Sequence, residues 1–193
     1  MWNDARQESP LVGLPRAVEA ARSQQIFRLQ EKPFLELVNL RGDVRSPQFS
    51  TAVETALGIS LPSIPNTVSQ GPAHTLMWLG PDEWLLQSAS PRQPALERTL
   101  RPLLAGQFAN VVDVSSGYTV IELSGSRARD VLQKGCPLDL HPRVFGVGLC
   151  AQSHFFKASI VLRPIAGNAY ELVVRRSFAD YAARMLLDAA VDA

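Results

Sequence analysis

The feature that most narrows the folds open to this chain is a repeat. Leu76–Gln87 (LMWLGPDEWLLQ) and Ile160–Val174 (IVLRPIAGNAYELVV) each read as an apolar run, a short turn containing Gly, and a second apolar run leading into a helix. Two copies of one supersecondary unit within 193 residues predict a fold assembled from two similar halves. The first copy places two tryptophans, Trp78 and Trp84, on either side of Gly80-Pro81-Asp82.

The rest of the pattern fits around these hairpins. In a first pass, Gln25–Glu31 and Phe34–Leu40 alternate as strands. Ser46-Pro47 supplies a cap and a first-turn proline for a helix that places Phe49, Val53, Ala56 and Leu57 on one face, and Gly58 stops it. A proline-rich link, then the hairpin Ala73–Leu79 and Glu83–Gln87, lead to a helix that gathers Leu96, Leu100 and Leu103. In a second pass, strands Asn110–Val114 and Tyr118–Leu123 precede a short helix capped by Ser124 or Ser126 and ended by Gly135. Strands His154–Leu162 and Tyr170–Arg175 follow. The last helix takes Ser177 as N-cap with Asp180 three residues on, and its apolar face is Phe178, Tyr181, Ala182, Met185 and Leu186. Both passes carry Leu-x-Gly before their first helix (Leu40-Arg41-Gly42 and Leu123-Ser124-Gly125). The fold class is therefore α+β, a pseudo-duplicated β-β-α-β-β-α with helices on one face of each sheet. Residues 1–23 are polar and aperiodic and read as an N-terminal arm. Residues 24–193 read as one domain of two lobes, about 24–106 and 107–193.

Bulk properties exclude several function classes. Net charge is +1 and charged residues make up only 19% of the chain, so neither nucleic acid nor an anionic membrane surface is favoured, and part of the surface is expected under a partner. No apolar run reaches the roughly 18 residues of a membrane span. The N-terminus lacks a basic start followed by an apolar core. Two cysteines, Cys136 and Cys150, make no disulfide framework, so a cytoplasmic protein with free thiols is expected.

Five separated segments carry a resemblance: Pro33–Asp43 (PFLELVNLRGD), Thr75–Gln87 (TLMWLGPDEWLLQ), Val111–Gly125 (VVDVSSGYTVIELSG), Leu132–Phe145 (LQKGCPLDLHPRVF) and Arg175–Leu186 (RRSFADYAARML). In that order they resemble the gamma-subunit family of heterotetrameric sarcosine oxidases. The second half is similar, more distantly, to the aminomethyltransferase (T-protein) family. The resemblance implies two ferredoxin-like lobes in the T-protein-like folate-binding fold. It further implies alpha, beta and delta subunits as partners, with FAD, FMN, NAD and tetrahydrofolate held by those partners and zinc in another small subunit. The complex would oxidatively demethylate sarcosine to glycine, with the gamma chain an accessory that has no chemistry of its own.

Candidate sites are each weighed against an ordinary structural role. By the resemblance, Asp139 falls near a folate-contacting acid of the transferases, and a carboxylate there could move a proton. Its setting, Gly135-Cys136-Pro137-Leu138-Asp139, equally suits a turn in which the acid accepts a backbone N–H. Cys136, His141, Cys150 and His154 have the ligand types of structural zinc, but the spacing C-x4-H-x8-C-x3-H matches no common zinc module. Asp113 with Ser115 and Ser116 reads as turn chemistry, since no Gly-x-Ser-x-Gly elbow frames the serines. Arg127, Arg129, Lys134, Arg175 and Arg176 read as the polar rim of an interface. Of Trp78 and Trp84, one is expected in the core and the other stays open as an interface anchor. The leading expectation is a non-catalytic contact subunit. A stand-alone folate-binding aminomethyltransferase-like protein and a ligand-sensing pair of ferredoxin-like lobes are the alternatives.

Overall fold

Leu35–Arg41 (LELVNLR) is buried along nearly its whole length, on both faces, which a strand can achieve only inside a layered structure. The computed structural model, which describes residues 7–14, 26–91 and 95–191, supplies those layers. Ten strands and four helices follow in chain order: β1 Arg28–Lys32, β2 Leu35–Arg41, α1 Pro47–Leu57, β3 Val68–Gln70, β4 His74–Gly80, β5 Glu83–Pro91, α2 Leu96–Leu103, β6 Asn110–Asp113, β7 Tyr118–Ser124, α3 Ala128–Gln133, β8 Ala151–Phe155, β9 Ala158–Ala166, β10 Ala169–Arg175 and α4 Arg176–Val191. They form two antiparallel five-stranded sheets, ordered β3-β4-β5-β2-β6 and β8-β9-β10-β7-β1.

Written that way, the two sheets are the same sheet twice. Each pass contributes β-β-α-β-β-β-α, one strand more than the sequence pattern showed, and the two first strands are exchanged. β1 leaves β2 after the tight turn at Pro33-Phe34, where Phe34 sits at φ 60°, and pairs with β7 from Arg28↔Ser124 to Lys32↔Val120. β6 reciprocates by pairing with β2 from Val38↔Asp113 to Arg41↔Asn110. The sheets in space therefore differ from the passes in sequence by one strand each.

Alternation divides the apolar side chains among three cores. Val38, Leu40, Leu76, Trp84 and Leu86 meet α1 and α2. Ile121, Leu123, Leu162, Leu172 and Val174 meet α3 and α4. Between them, Leu35, Leu37, Met77 and Leu85 of one sheet meet Val120, Cys150 and Val173 of the other. The order of layers is helix, sheet, sheet, helix. Leu11 and Leu14 of the N-terminal segment also pack on the α4-side core, and Arg176 donates to the Glu8 carbonyl. The remainder of the expected arm lies outside the described residues.

The inter-sheet layer is not wholly apolar. Glu171 of β10 is buried there, and Arg163 of β9, directly opposite in register, donates to it through Nε at 2.8 Å. Lys32 of the exchanged β1 reaches Glu171 at 2.9 Å and Glu122 at 2.6 Å, bridging two cross-strand carboxylates that would otherwise repel. The facing sheet contributes Gln87, which donates to Glu171 at 3.1 Å, and Gln70, which accepts from Arg163 at 3.3 Å. Burial by itself pushes the Glu171 carboxyl up, but Arg163, Lys32 and Gln87 outweigh it and hold the group below its ordinary 4.5.

Helix ends show where the sequence signals were complete. Ser46 accepts the Phe49 N–H, and Gly58 ends α1 at φ 69° as expected. For α2 the cap comes from another element: Glu36 Oε1 accepts the N–H groups of Ala95 and Leu96, both at 2.6 Å. Gly42 and Gly125 explain the repeated Leu-x-Gly. A Cβ on Gly42 would lie 2.3 Å from the Phe49 ring, and one on Gly125 would lie 2.5 Å from the Ile26 carbonyl.

Several expectations need correction. The segment read as strand His154–Leu162 is the hairpin β8–β9, turning at Phe156-Lys157 with Phe156 at φ 48°. β3 lay hidden beyond the proline-rich link. No serine side chain caps α3; Arg127 occupies that position. Ser177 is inside α4, which runs on directly from β10, and Asp180 pairs with Arg184 at 2.8 Å. The buried face of α4 is Ala179, Ala182, Ala183, Leu186 and Ala189, leaving Phe178 exposed. On α2, Leu103 is exposed and Leu104 takes its place in the core.

Breaking the buried pair tests this account. Arg163→Met is expected to lower unfolding free energy by about 3 kcal/mol in urea titration, and Arg163→Met combined with Glu171→Leu to recover most of it. The pH dependence follows from the depressed Glu171 value: its contribution is present above 4.5 and disappears as pH falls through the lower folded value. The parent chain should therefore lose stability on acidification faster than the double variant, as read by thermal melts between neutral pH and pH 3.

Candidate functional site

Three loops meet at one end of the β3–β6 sheet: 41–45 after β2, the turn 81–82 between β4 and β5, and 107–110 between α2 and β6. They enclose an open cleft of about 890 Å³. Its charged side chains are paired within the chain. Arg41 holds the Asp82 carboxylate through Nη2 at 3.0 and 3.2 Å. Arg45 holds Asp43 through Nε and Nη2 at 3.0 and 3.1 Å. Phe108 forms one wall and is 99% exposed, the most exposed large apolar residue among those described. Sequence reading did not single it out, because a lone Phe in a short Ala-Gly-Gln-Phe-Ala-Asn connection carries no periodicity.

The duplicated fold makes this cleft an asymmetry. Register places Asn110 opposite Arg41 in one sheet and Arg28 opposite Ser124 in the other, so Phe108 and Ile26 are equivalent positions. In the second half the space is closed: Arg127 donates its backbone N–H to the Ile26 carbonyl at 2.9 Å. In the first half the corresponding loops stand apart across the cleft.

A second hollow, of about 340 Å³, lies between the β1–β2 turn and the β6–β7 turn. Its polar groups are engaged within the chain. Glu31 accepts from Ser9 and from Thr119, the latter at 2.6 Å; Glu36 caps α2; Arg176 donates to the Glu8 carbonyl. Asp113 accepts the Ser115 N–H at 2.8 Å, and Ser115 Oγ accepts the Leu37 N–H at 2.9 Å, so this run ties a turn to β2.

The sequence-selected residues do not converge. Asp139 is exposed and accepts the His141 N–H at 2.9 Å in a local turn. Cys136 belongs to the α4-side core and Cys150 to the inter-sheet core. His141 and His154 are exposed. Among the described residues no three His, Cys, Asp or Glu side chains come together as a metal group. Burial pushes the Cys150 thiol up to about 11, so it stays protonated at neutral pH.

Trp84 is the member of the tryptophan pair that lies in the core, and as such it offers no interface anchor. It is fully buried, its ring centroid is 5.8 Å from that of Phe49, and its Nε1 donates to the Pro62 carbonyl at 2.8 Å. Trp78, opposite it in register, is half-buried against the same core. Arg175 is exposed, with its guanidinium 5.8 Å from the Tyr118 ring centroid. No described helix is long and apolar enough to cross a membrane.

Comparison with known proteins gives this geometry a family. Residues 41–192 match the family model of the sarcosine oxidase gamma subunit. The chain belongs to that family. Within it, the chain is 33% identical over 186 residues to sarcosine oxidase subunit gamma from Corynebacterium sp. (strain U-96), covering 95% of this chain and 89% of that protein. It also superimposes, at a TM-score of 0.88 and 32% identity, on a chain of the heterotetrameric sarcosine oxidase from Corynebacterium sp. U-96 solved with pyrrole 2-carboxylate, covering 96% and 95% of the two chains. Glycine cleavage system aminomethyltransferase T from Bartonella henselae aligns at a TM-score of 0.59 and 16% identity over 84% of this chain and 45% of that one. That likeness is one of fold, and it agrees with the T-protein-like architecture expected for the gamma family.

If Asp139 does no more than close its own turn, Asp139→Asn retains the needed acceptor. The substitution is then expected to change stability by less than about 0.5 kcal/mol. Titration calorimetry with tetrahydrofolate should give no saturable heat for either protein, and micromolar binding abolished by the substitution would restore the folate reading.

Proposed function

We propose that this chain is the accessory, non-catalytic gamma subunit of a heterotetrameric sarcosine oxidase, that it assembles with alpha, beta and delta subunits, and that it stabilises the large flavoprotein subunits. The likeness, over nearly its whole length, to a chain solved within such a heterotetramer carries the reading. The local chemistry supports it. Asp139, Asp113 and Ser115 are spent on backbone turns, and Cys150 is a protonated core thiol.

In this reading the complex oxidises the N-methyl group of sarcosine, releasing glycine. Molecular oxygen is reduced to hydrogen peroxide, and the one-carbon unit passes to tetrahydrofolate as 5,10-methylenetetrahydrofolate. FAD, FMN, NAD and the folate are held by the partner subunits, zinc by another small subunit, and the assembly works in the cytoplasm. What this chain contributes is surface: binding to the assembled state stabilises it by mass action without any reacting group.

Two measurements test the proposal. Purified alone, the chain is expected to give no peroxide from sarcosine and oxygen, and turnover by the lone chain would overturn it. Leaving the chain out of a co-expression of the other subunits is expected to cut soluble, flavin-loaded oxidase about three-fold or more. Supplying it should restore the 450 nm absorbance of the purified complex.

A further inference from the structure

We propose that the Phe108 loop and the cleft beside it form the docking surface for another subunit of the oxidase, which offers the Phe108 ring an apolar, uncharged socket. The inference rests on the subunit reading above and specifies where on the chain the contact is made.

Three observations carry it. The first is the exposure of Phe108. A ring that is 99% exposed gains nothing from this chain's own folding, whereas a buried aromatic of this kind dominates the stability of interfaces. A small molecule in the cleft would cover one face of the ring and leave the other in water. Surrounding the ring takes a polypeptide socket. On the elements flanking the loop, Leu103 at the end of α2 and Val112 on β6 are also exposed.

The second is charge. The four ionic side chains of the cleft form two pairs, Arg41 with Asp82 and Arg45 with Asp43, so their charges sum to zero. A charged partner segment would have to compete with pairings already made inside the chain. The complement is therefore a segment without net charge, apolar at its centre and hydrogen-bonding at its edge. The third is the broken symmetry of the duplication. At the equivalent position the chain closes on itself through the Arg127–Ile26 backbone bond, yet here the loops are held apart. A sibling subunit is the occupant because the chain's near-full-length structural relative was solved as part of a hetero-oligomer.

The test uses the full chain co-expressed with the remaining subunits, with the affinity tag on a large subunit. Phe108→Ser is expected to reduce the co-purified chain about ten-fold or more. Phe178→Ser, on α4 in the opposite helix layer, is expected to co-purify like the parent. Arg45→Asp leaves Asp43 unpaired, makes the rim negative, and is expected to weaken recovery in the same direction. Far-UV circular dichroism and the melting midpoint of the free Phe108→Ser and Arg45→Asp chains should match the parent. Recovery of both variants at the parent level overturns the docking surface while leaving the subunit reading intact. Failure of the parent chain to co-purify overturns both. A free parent chain that is dimeric in sedimentation, and monomeric as Phe108→Ser, identifies a second copy as the occupant and also overturns the proposal.

Discussion

A carboxylate without access to water sits where the two sheets meet, kept ionised by two cations of its own sheet and bonded to an amide of the facing one. Glu171 draws its partners from three other strands: Arg163 on β9, Lys32 on β1 and Gln87 on β5. Slipping β10 by one residue within its own sheet would turn Glu171 toward the α3–α4 layer and away from these partners. Left unpaired in that layer, the charge would cost about 3–5 kcal/mol. Hydrophobic burial holds the sheets together, the ionic cluster favours one strand register within the β10 sheet, and Gln87 and Gln70 link it to the facing sheet.

The exchange of β1 and β6 gives this cluster its second cation. Lys32 belongs to the first pass by sequence and to the second sheet by pairing, so it reaches Glu171 only because β1 crossed over. The crossing also makes the sheets mutually dependent, since each is completed by a strand from the other pass. A duplicated sequence could have produced two lobes on a tether. Reciprocal exchange produced one body whose loops, at the β2–α1 end, are carried by strands of both passes.

Much of this was legible in the sequence and some of it could not be. The duplication, the α1 cap at Ser46-Pro47 and the Leu-x-Gly pairs were readable as patterns, although the need for Gly125 comes from the distant Ile26 carbonyl. The hairpin at Phe156-Lys157 was missed because its turn contains neither Gly nor Asn, and an aromatic at positive φ is rare. The cap of α2 was invisible for another reason: its acceptor, Glu36, lies 59 residues from Ala95. The face of α4 was read in part: Ala182 and Leu186 are buried and Tyr181 and Met185 pack on the core as expected, but Phe178 is exposed and Ala179, Ala183 and Ala189 share the buried face. Trp84 was legible as important, but only its bond to the Pro62 carbonyl shows that its polar edge is satisfied inside this chain.

The two hollows illustrate how to separate a structural cavity from a working surface. Around the smaller one, charges are plentiful and every one of the named groups is consumed: Glu36 by a helix end, Asp113 by a turn, Glu31 and Arg176 by the N-terminal segment. Such a site resembles a binding pocket in composition while its binding capacity has been used in folding. Around the larger one, the ionic pairs are likewise internal, but the apolar element is not, and Phe108 has no role in the stability of the chain that displays it. Folding accounts for the first hollow completely. It leaves Phe108 unexplained, and association is the physical process that would give that ring a place to be buried.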